Sequence, residues 1–375
     1  MKRLNPIRLA VISLLIALVG CFMVFTEGGY AATFAQVSRL SFLYILIALA
    51  LSLIGNLWTA TLVVPIGIYN AYLAVARLEL LGESGGTGYW LFFWGFLLAA
   101  IFAVGRVSLS ESDTNEVGYL KAIRRALPPL SVPFVLLLLW QGLVVGNNVP
   151  KGIFPSVTDV YLQLVSSWGV LINDSYVTFV KEVLFGFVLG FAGGFLAGAA
   201  IAASRFLQRG FLPLAAAFGA VPIVGLAPVL GRAFGVDWES KAAVVVIVTF
   251  FPVVLNTVQG LVQVDPIKLE LLKAYAATPR DVFLKLRLPN ALPYLFNALK
   301  LASVLSVISV IVAEFLIPGP PKGLGQRISL SARQGAFDVV FAAIAFTSFI
   351  SMLIYGMLSV LERRLTGWHA SFRED

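Results

Sequence analysis

The sequence predicts an all-α membrane protein that crosses a bilayer about ten times. Three observations carry that expectation. First, 59% of the 375 residues are hydrophobic and only 12% are charged, with a mean hydropathy of +0.92; a soluble domain carries about 25% charged residues. Second, the apolar residues fall in repeated runs of about 20, the length a helix needs to cross the hydrocarbon core. Third, the runs are continuous rather than alternating, which favours helices over a closed barrel, the other structure that lipid tolerates.

The first run, 9–26, follows Lys2, Arg3 and Arg8. Its LVGC stretch, Leu18 to Cys21, has the form of a lipoprotein cleavage box, but apolar residues continue through Phe25, so an uncleaved first helix is expected. Runs 41–57 and 59–78 come next, with Gly55-Asn56 as the turn signal between them. A fourth run covers 89–107. The stretch LSESDTNEVGYLKAIRRA, 109–126, is polar and reads as a linker after an N-terminal membrane module, 1–108. Six further runs follow, at 127–146, 177–203, 211–234, 241–263, 293–317 and 338–361, and a polar tail closes the chain at 366–375.

Charge orients these spans. Lys2, Arg3 and Arg8 place the N-terminus in the cytoplasm, and Lys121, Arg124 and Arg125 place the start of the fifth run there too, which requires an even number of spans between them. Beyond that point, segments 119–125, 204–209, 265–289 and 361–375 hold thirteen Lys and Arg, against five in 147–175, 236–241 and 318–336. The excess predicts that the first set, and both termini, are cytoplasmic.

Composition also excludes functions. The +8 charge is scattered at the ends of apolar runs, so no nucleic-acid surface is expected. One cysteine, Cys21, and one histidine, His369, give neither a disulfide nor a thiol or imidazole metal cluster. No G-x(4)-G-K-[ST] phosphate loop is present, and GPPKGLG fails that spacing. No nucleophile–base pair stands out. No cofactor, metal or catalytic residue is expected.

One segment is out of character. LELLKAYAATPRDVFLKLRLPNALPY, Leu269 to Tyr294, is charged yet lies between apolar runs. Asp265 can cap a helix that opens with Pro266 and shows Ile267, Leu271, Ala274 and Tyr275 on one face. Thr278-Pro279-Arg280-Asp281 has the form of a capping box for a second helix, which shows Val282, Phe283 and Leu286 on one side; Pro289 is expected to stop it and Pro293 to open the next span. Helices this short need a surface to pack on. Two surfaces are open: the bilayer face or a soluble partner.

This segment resembles the EAA loop of ABC-importer permeases, E-A-A-x(3)-G-A-S/T followed by an aromatic and L-P. Glu270 matches the acidic position, Ala277-Thr278 the A-S/T, Phe283 the aromatic and Leu288-Pro289 the L-P. The double alanine is Leu271-Leu272 here, and the glycine is Ala276. GAVPIVGLAPVLGRAFGV (Gly219 to Val236), FFPVVLNTVQGL (Phe250 to Leu261), VAEFL (Val312 to Leu316) and GLG (Gly323 to Gly325) resemble flanking stretches of the same family, closest to permeases for nitrate, sulfonates, taurine and pyrimidine vitamin precursors. The resemblance covers roughly 127–365. It implies a six-helix type I importer core there, preceded by about four extra helices, in the bacterial inner membrane. It further implies a second permease subunit, identical or paired, a dimer of cytoplasmic ABC ATPase subunits, and an extracytoplasmic binding protein. The ATPase dock would be Glu270, Tyr275, Ala276, Ala277, Thr278, Pro279, Arg280, Asp281, Phe283, Leu286, Leu288 and Pro289.

Other residues have two readings each. Gly186, Gly190, Gly194 and Gly198 recur every four residues and give a smooth face for close helix packing, within the chain or across a dimer. Pro222 and Pro228 interrupt the run 211–234, as a kink or as a bend lining the pathway. Asn256 and Gln259 share one side of their helix, facing the pathway or bonding a neighbour. Glu314, near the outer end of its span, is a pathway candidate or snorkels to the interface, as do Lys181 and Glu182. Lys151, Lys322, Arg327 and Arg333 form a modest basic rim on the outer loops, suited to an anionic or polar solute. The resulting expectation is the permease subunit of an ABC importer for a small organic solute. An ion-gradient-driven secondary transporter is the alternative; that class usually shows buried relays and inverted repeats, and neither stands out in the sequence.

Overall fold

A computed structural model describes residues 6–26, 39–54, 57–109, 118–219, 222–317, 319 and 322–367. Among them are fourteen helices and one isolated bridge, Thr26 to Gly85. They form two compact units, Met1–Leu162 and Gln163–Asp375. Residues 110–117 of the linker expected at 109–126, most of the tail 366–375, and the Gly55-Asn56 turn lie outside the described residues, whereas 118–126 of that linker are helical.

The first unit contains α1 (Pro6–Gly20), α2 (Arg39–Ile54), α3 (Leu57–Leu81), α4 (Thr87–Leu109), α5 (Gly118–Gly146) and the start of α6 (Val157–Ser166). Its centre is aromatic: Phe25, Tyr89, Phe92, Phe93 and Phe96 are fully buried. Tyr89 stacks on Phe93 with centroids 5.8 Å apart and meets Phe25 edge-on at 5.7 Å. A buried hydroxyl needs a partner, and the Tyr89 hydroxyl donates to the Gly142 carbonyl of α5 at 2.8 Å. α5, which contains the expected span 127–146, packs on α3 and α4 within this unit.

The second unit contains α7 (Trp168–Ala203), α8 (Arg205–Gly219), α9 (Ile223–Phe234), α10 (Trp238–Val262), α11 (Pro266–Ala274), α12 (Pro279–Leu316), α13 (Leu324–Arg333) and α14 (Phe337–Thr366). α10 is its central helix, packed between α7 and α12. The glycine ladder explains the α7 contact. Gly186, Gly190, Gly194 and Gly198 are buried. A Cβ there would lie 2.5, 2.7, 2.7 and 3.0 Å from the carbonyl oxygens of Ala242, Val246, Phe250 and Val254. Those four residues are themselves four apart, so two ridges of the same period run face to face. Without side chains on one of them, the backbones approach closely enough for dispersion and Cα–H···O contacts along the seam. The ladder therefore packs inside this chain.

Among the described residues, seven helices are long and apolar enough to cross a membrane: α3, α4, α5, α7, α10, α12 and α14, while α1 and part of α2 are shorter apolar helices. The expected runs lie in these helices with three departures in form. The run 9–26 is helical only as far as Gly20, and 21–26 are turns and the bridge to Gly85. The run 211–234 is divided between α8 and α9. Pro222 is extended, at φ −69° and ψ 117°, and stands just before α9. Pro289 does not stop a helix and Pro293 does not open one, because α12 runs through both. Its stretch Phe283–Arg287 is π-helical, and the Leu288 amide reaches back to the Phe283 carbonyl. The wider turn reorganises the ladder just where Pro289 contributes no donor.

Candidate functional site

The loop-side end of the second unit is the helix pair α11 and the first turns of α12. The Asp265 carboxylate accepts the Ile267 amide at 2.9 Å, and Pro266 supplies a preset φ without a wasted donor, so α11 starts where the sequence places it. Its end is a Schellman turn: the Ala276 amide donates to the Lys273 carbonyl at 2.9 Å and the Ala277 amide to the Leu272 carbonyl at 3.0 Å. That turn needs a left-handed residue, and Ala276 takes it with φ +52°. Alanine therefore occupies, at some strain, the conformation that glycine takes freely. Thr278 and Asp281 then form the expected capping box, in which the Asp281 amide donates to Thr278 Oγ1 at 3.2 Å and the Thr278 amide to Asp281 Oδ2 at 3.3 Å. Lys285 pairs with Asp281 at 2.7 Å.

The two helices expose different things. Ile267, Leu271 and Tyr275 are 76%, 56% and 77% exposed, four residues apart along one face of α11. Glu270, Ala276, Thr278, Pro279 and Arg280 are exposed as well; Ala277, Asp281, Leu286, Leu288 and Pro289 are half-buried. Phe283 is half-buried and packs on Ala202, Leu261, Ala291 and Leu295 of its own chain. The apolar stripe open to a partner therefore belongs to α11. Asn290, which sequence reasoning missed, fixes this end: its side-chain amide donates to the carbonyls of Gly260 at 3.0 Å and Gln263 at 2.9 Å, tying α12 to α10. Its position between Pro289 and the next apolar run was the available signal.

At the other end of α12 the VAEFL and GLG stretches meet. Glu314 is 1% exposed and does not snorkel. Its carboxylate accepts the Thr178 hydroxyl at 2.8 Å, the Gln326 amide at 3.2 Å and the Gly325 amide. It thus satisfies the opening amides of α13, a natural seat for an anion. Gly323 has φ +124°, and a Cβ on Gly325 would sit 2.5 Å from Glu314 Oε2. Thr178 also accepts the Leu324 amide at 2.9 Å, and Arg327 pairs with Asp174. Glu182 is 1% exposed and in contact with Glu314. Thr178 and Glu182 lie on a π-helical stretch of α7, Tyr176–Leu184, whose changed pitch aims both at α12. Lys181 is exposed, its ammonium 5.9 Å from the Tyr176 ring.

The remaining candidates are dispersed. Pro222 and Pro228 are exposed, Pro228 on α9. Asn256 donates to the Pro252 carbonyl at 2.9 Å and accepts from Asn297 at 3.2 Å; Gln259 is exposed. The basic rim is smaller than the sequence predicts, because Lys151 pairs with Asp159 at 2.6 Å and Arg327 is held by Asp174; Lys322 and Arg333 stay exposed. Among the described residues no three His, Cys, Asp or Glu side chains converge as a metal site.

Residues 190–367 match the family described as binding-protein-dependent transport system inner membrane component. The chain is 31% identical to a probable ABC transporter permease protein of Haemophilus influenzae, over 64% of this chain and 97% of that one. It is likewise 31% identical to the riboflavin transport system permease protein RibX of Chloroflexus aurantiacus, over 65% and 92%. It is 28% identical to the formylaminopyrimidine transport permease protein ThiX of Halalkalibacterium halodurans, over 66% and 98%.

Proposed function

The chain belongs to the inner-membrane components of binding-protein-dependent transport systems, the permeases of ABC transporters, and from that premise we propose that it couples import of a small organic solute to ATP hydrolysis by a separate subunit docked on residues 265–289. The observation that carries the docking surface is the exposed Ile267–Leu271–Tyr275 stripe on a short helix capped by Asp265 at its start and closed by the turn at Ala276. A short helix that leaves an apolar stripe uncovered suits helix-in-groove recognition. Glu270, Arg280 and the Asp281–Lys285 pair supply a polar rim.

In this reading the loop and both termini face the cytoplasm. A second permease subunit completes the pathway, and an extracytoplasmic binding protein delivers the solute. Relatives are named as transport permeases for riboflavin, formylaminopyrimidine, nitrate and taurine, and one as a putative permease for aliphatic sulfonates, and a solute of that size range is proposed here. Residues 1–108 would be an accessory membrane module, 127–365 the core and 366–375 a cytoplasmic tail; a chain that starts near Glu116 should then still bind the ATPase.

The test is Leu271→Asp in the full chain. Membrane insertion should stay normal while ATPase co-purification and solute uptake fall at least tenfold, the scale of a lost interface anchor. Undiminished co-purification would remove the docking assignment. Uptake driven by a proton or sodium gradient, in proteoliposomes holding this polypeptide alone, would replace the whole reading with a secondary transporter.

A further inference from the structure

We propose that Arg232 marks an anion-reading subsite, in a cavity between α9 and the end of α12, for the oxyanion group of the transported solute. This rests on the permease reading and adds the chemical class of solute.

The cavity holds about 420 Å³ and is lined by Pro228, Gly231, Arg232, Val236, Leu316 and Ile317. Arg232 is the one charged residue among them. It is exposed to the space, and none of the ion pairs among the described residues engages it. Ionisable groups within a membrane domain are costly and face water or function. A guanidinium carries five donors in a fork that matches carboxylate, sulfonate and phosphate oxygens.

The walls are built rather than incidental. Gly231 lets α9 close on α12, since a Cβ there would already be 3.0 Å from Ile317. The wall at Val236 is pinned through its backbone. Lys241 is 3% exposed and donates to the Val236 carbonyl and, at 3.1 Å, to that of Asp237. The Ser240 hydroxyl donates to the Asp237 carbonyl at 3.0 Å. A cation in an apolar recess with fixed walls focuses its field on what enters. Placed in the last turn of α9, Arg232 also favours the helix dipole. If that is its whole role, replacing it changes stability and not anion preference.

The experiment places a reporter on the wall. Val236→Cys, in the full chain with Cys21→Ser, is reconstituted in phosphatidylcholine nanodiscs. It is labelled with the negative reagent methanethiosulfonate ethylsulfonate and with its trimethylammonium counterpart. The ratio of the two rates cancels differences in thiol reactivity. With Arg232 present, the ratio should exceed that of the Arg232→Gln variant by about tenfold, and Arg232→Lys should keep most of the preference. Asp237 and Glu239, exposed nearby, are common to all three. Millimolar methanesulfonate should slow labelling only when Arg232 is present. An unchanged ratio in Arg232→Gln, or an introduced thiol that neither reagent reaches, overturns the proposal. Slowing by added phosphatidylglycerol but not by methanesulfonate also overturns it and assigns the recess to a lipid phosphate. Labelling needs neither ATP nor a partner, so its failure is distinct from failure of ATPase docking.

Discussion

The two ends of α12 handle charge in opposite ways. At Pro279 the charged groups of the helix pair stand in solvent; the Lys285 and Asp281 side chains are 72% and 36% exposed. At Leu316, Glu314 is 1% exposed and spends its carboxylate on Thr178 and on the amides that open α13. Exposed ion pairs contribute little to stability and leave a surface adaptable. A buried carboxylate must be satisfied at every oxygen, and the elements that satisfy it become fixed to one another. One end is therefore suited to a partner that comes and goes. The other joins α7, α12 and α13 into a single piece.

Removing the buried carboxylate should give the largest effect. Glu314→Ala leaves the Gly325 and Gln326 amides and the Thr178 hydroxyl without their acceptor. We expect a loss of at least ~3 kcal/mol, read as a lower melting temperature in detergent. Glu314→Gln should lose less, because its amide oxygen still accepts. If Glu314→Ala melts like the parent, the two ends do not differ as described.

Gly325→Ala tests the same end by shape instead of charge. The new methyl would start 2.5 Å from Glu314 Oε2. Overpacking of this kind costs about 1–3 kcal/mol. Melting unchanged to within a degree would show that α13 can retreat from Glu314.

These elements also show how far sequence reasoning reached. Apolar runs of bilayer length, both caps of the helix pair and the spacing of the glycine ladder are local or periodic features, so they were legible. What was hidden depends on partners distant in the chain. The burial of Glu314 is set by Thr178, 136 residues away. Phe283 reads as a surface residue of a short helix until Ala202 and Leu295 are seen against it. Pro289 reads as a stop, yet a π-helical turn before it absorbs the missing donor. Arg327 reads as a rim cation until Asp174 appears beside it. Local patterns named the elements, and long-range contacts decided which way the side chains faced.

At the exposed end the expected change is a gain. Ala276 holds φ +52°, a conformation that costs a non-glycine residue about 1–2 kcal/mol. Ala276→Gly removes that strain but frees the unfolded chain, which returns roughly 0.5–1 kcal/mol. The net should be a stabilisation of at most about 1.5 kcal/mol, seen as slower hydrogen exchange at the Ala277 amide and little change in global melting. Faster exchange there would mean that the left-handed turn carries no strain.

The smallest effect should come from the other capping box, at the start of α6. Ser156 and Asp159 exchange hydrogen bonds as Thr278 and Asp281 do, and Lys151 pairs with Asp159 at 2.6 Å. Burial alone would raise the Asp159 pKa, but the hydrogen bonds from Lys151 and Ser156 outweigh it and hold the carboxyl below its ordinary value. A folded pKa below the unfolded one stabilises the protein at neutral pH, and that contribution fades as pH falls through the unfolded value near ~4 toward the lower folded one. The Lys151 side chain is 72% exposed, so solvent screening limits the pair to about 0.5 kcal/mol. Lys151→Ala should therefore lower stability by that amount at pH 7, by less at pH 4, and by nothing measurable near pH 2. A Lys151→Ala deficit that stays constant across this range would show that the lysine acts through packing of its aliphatic stem, and charge would then matter still less at exposed positions than the comparison assumes.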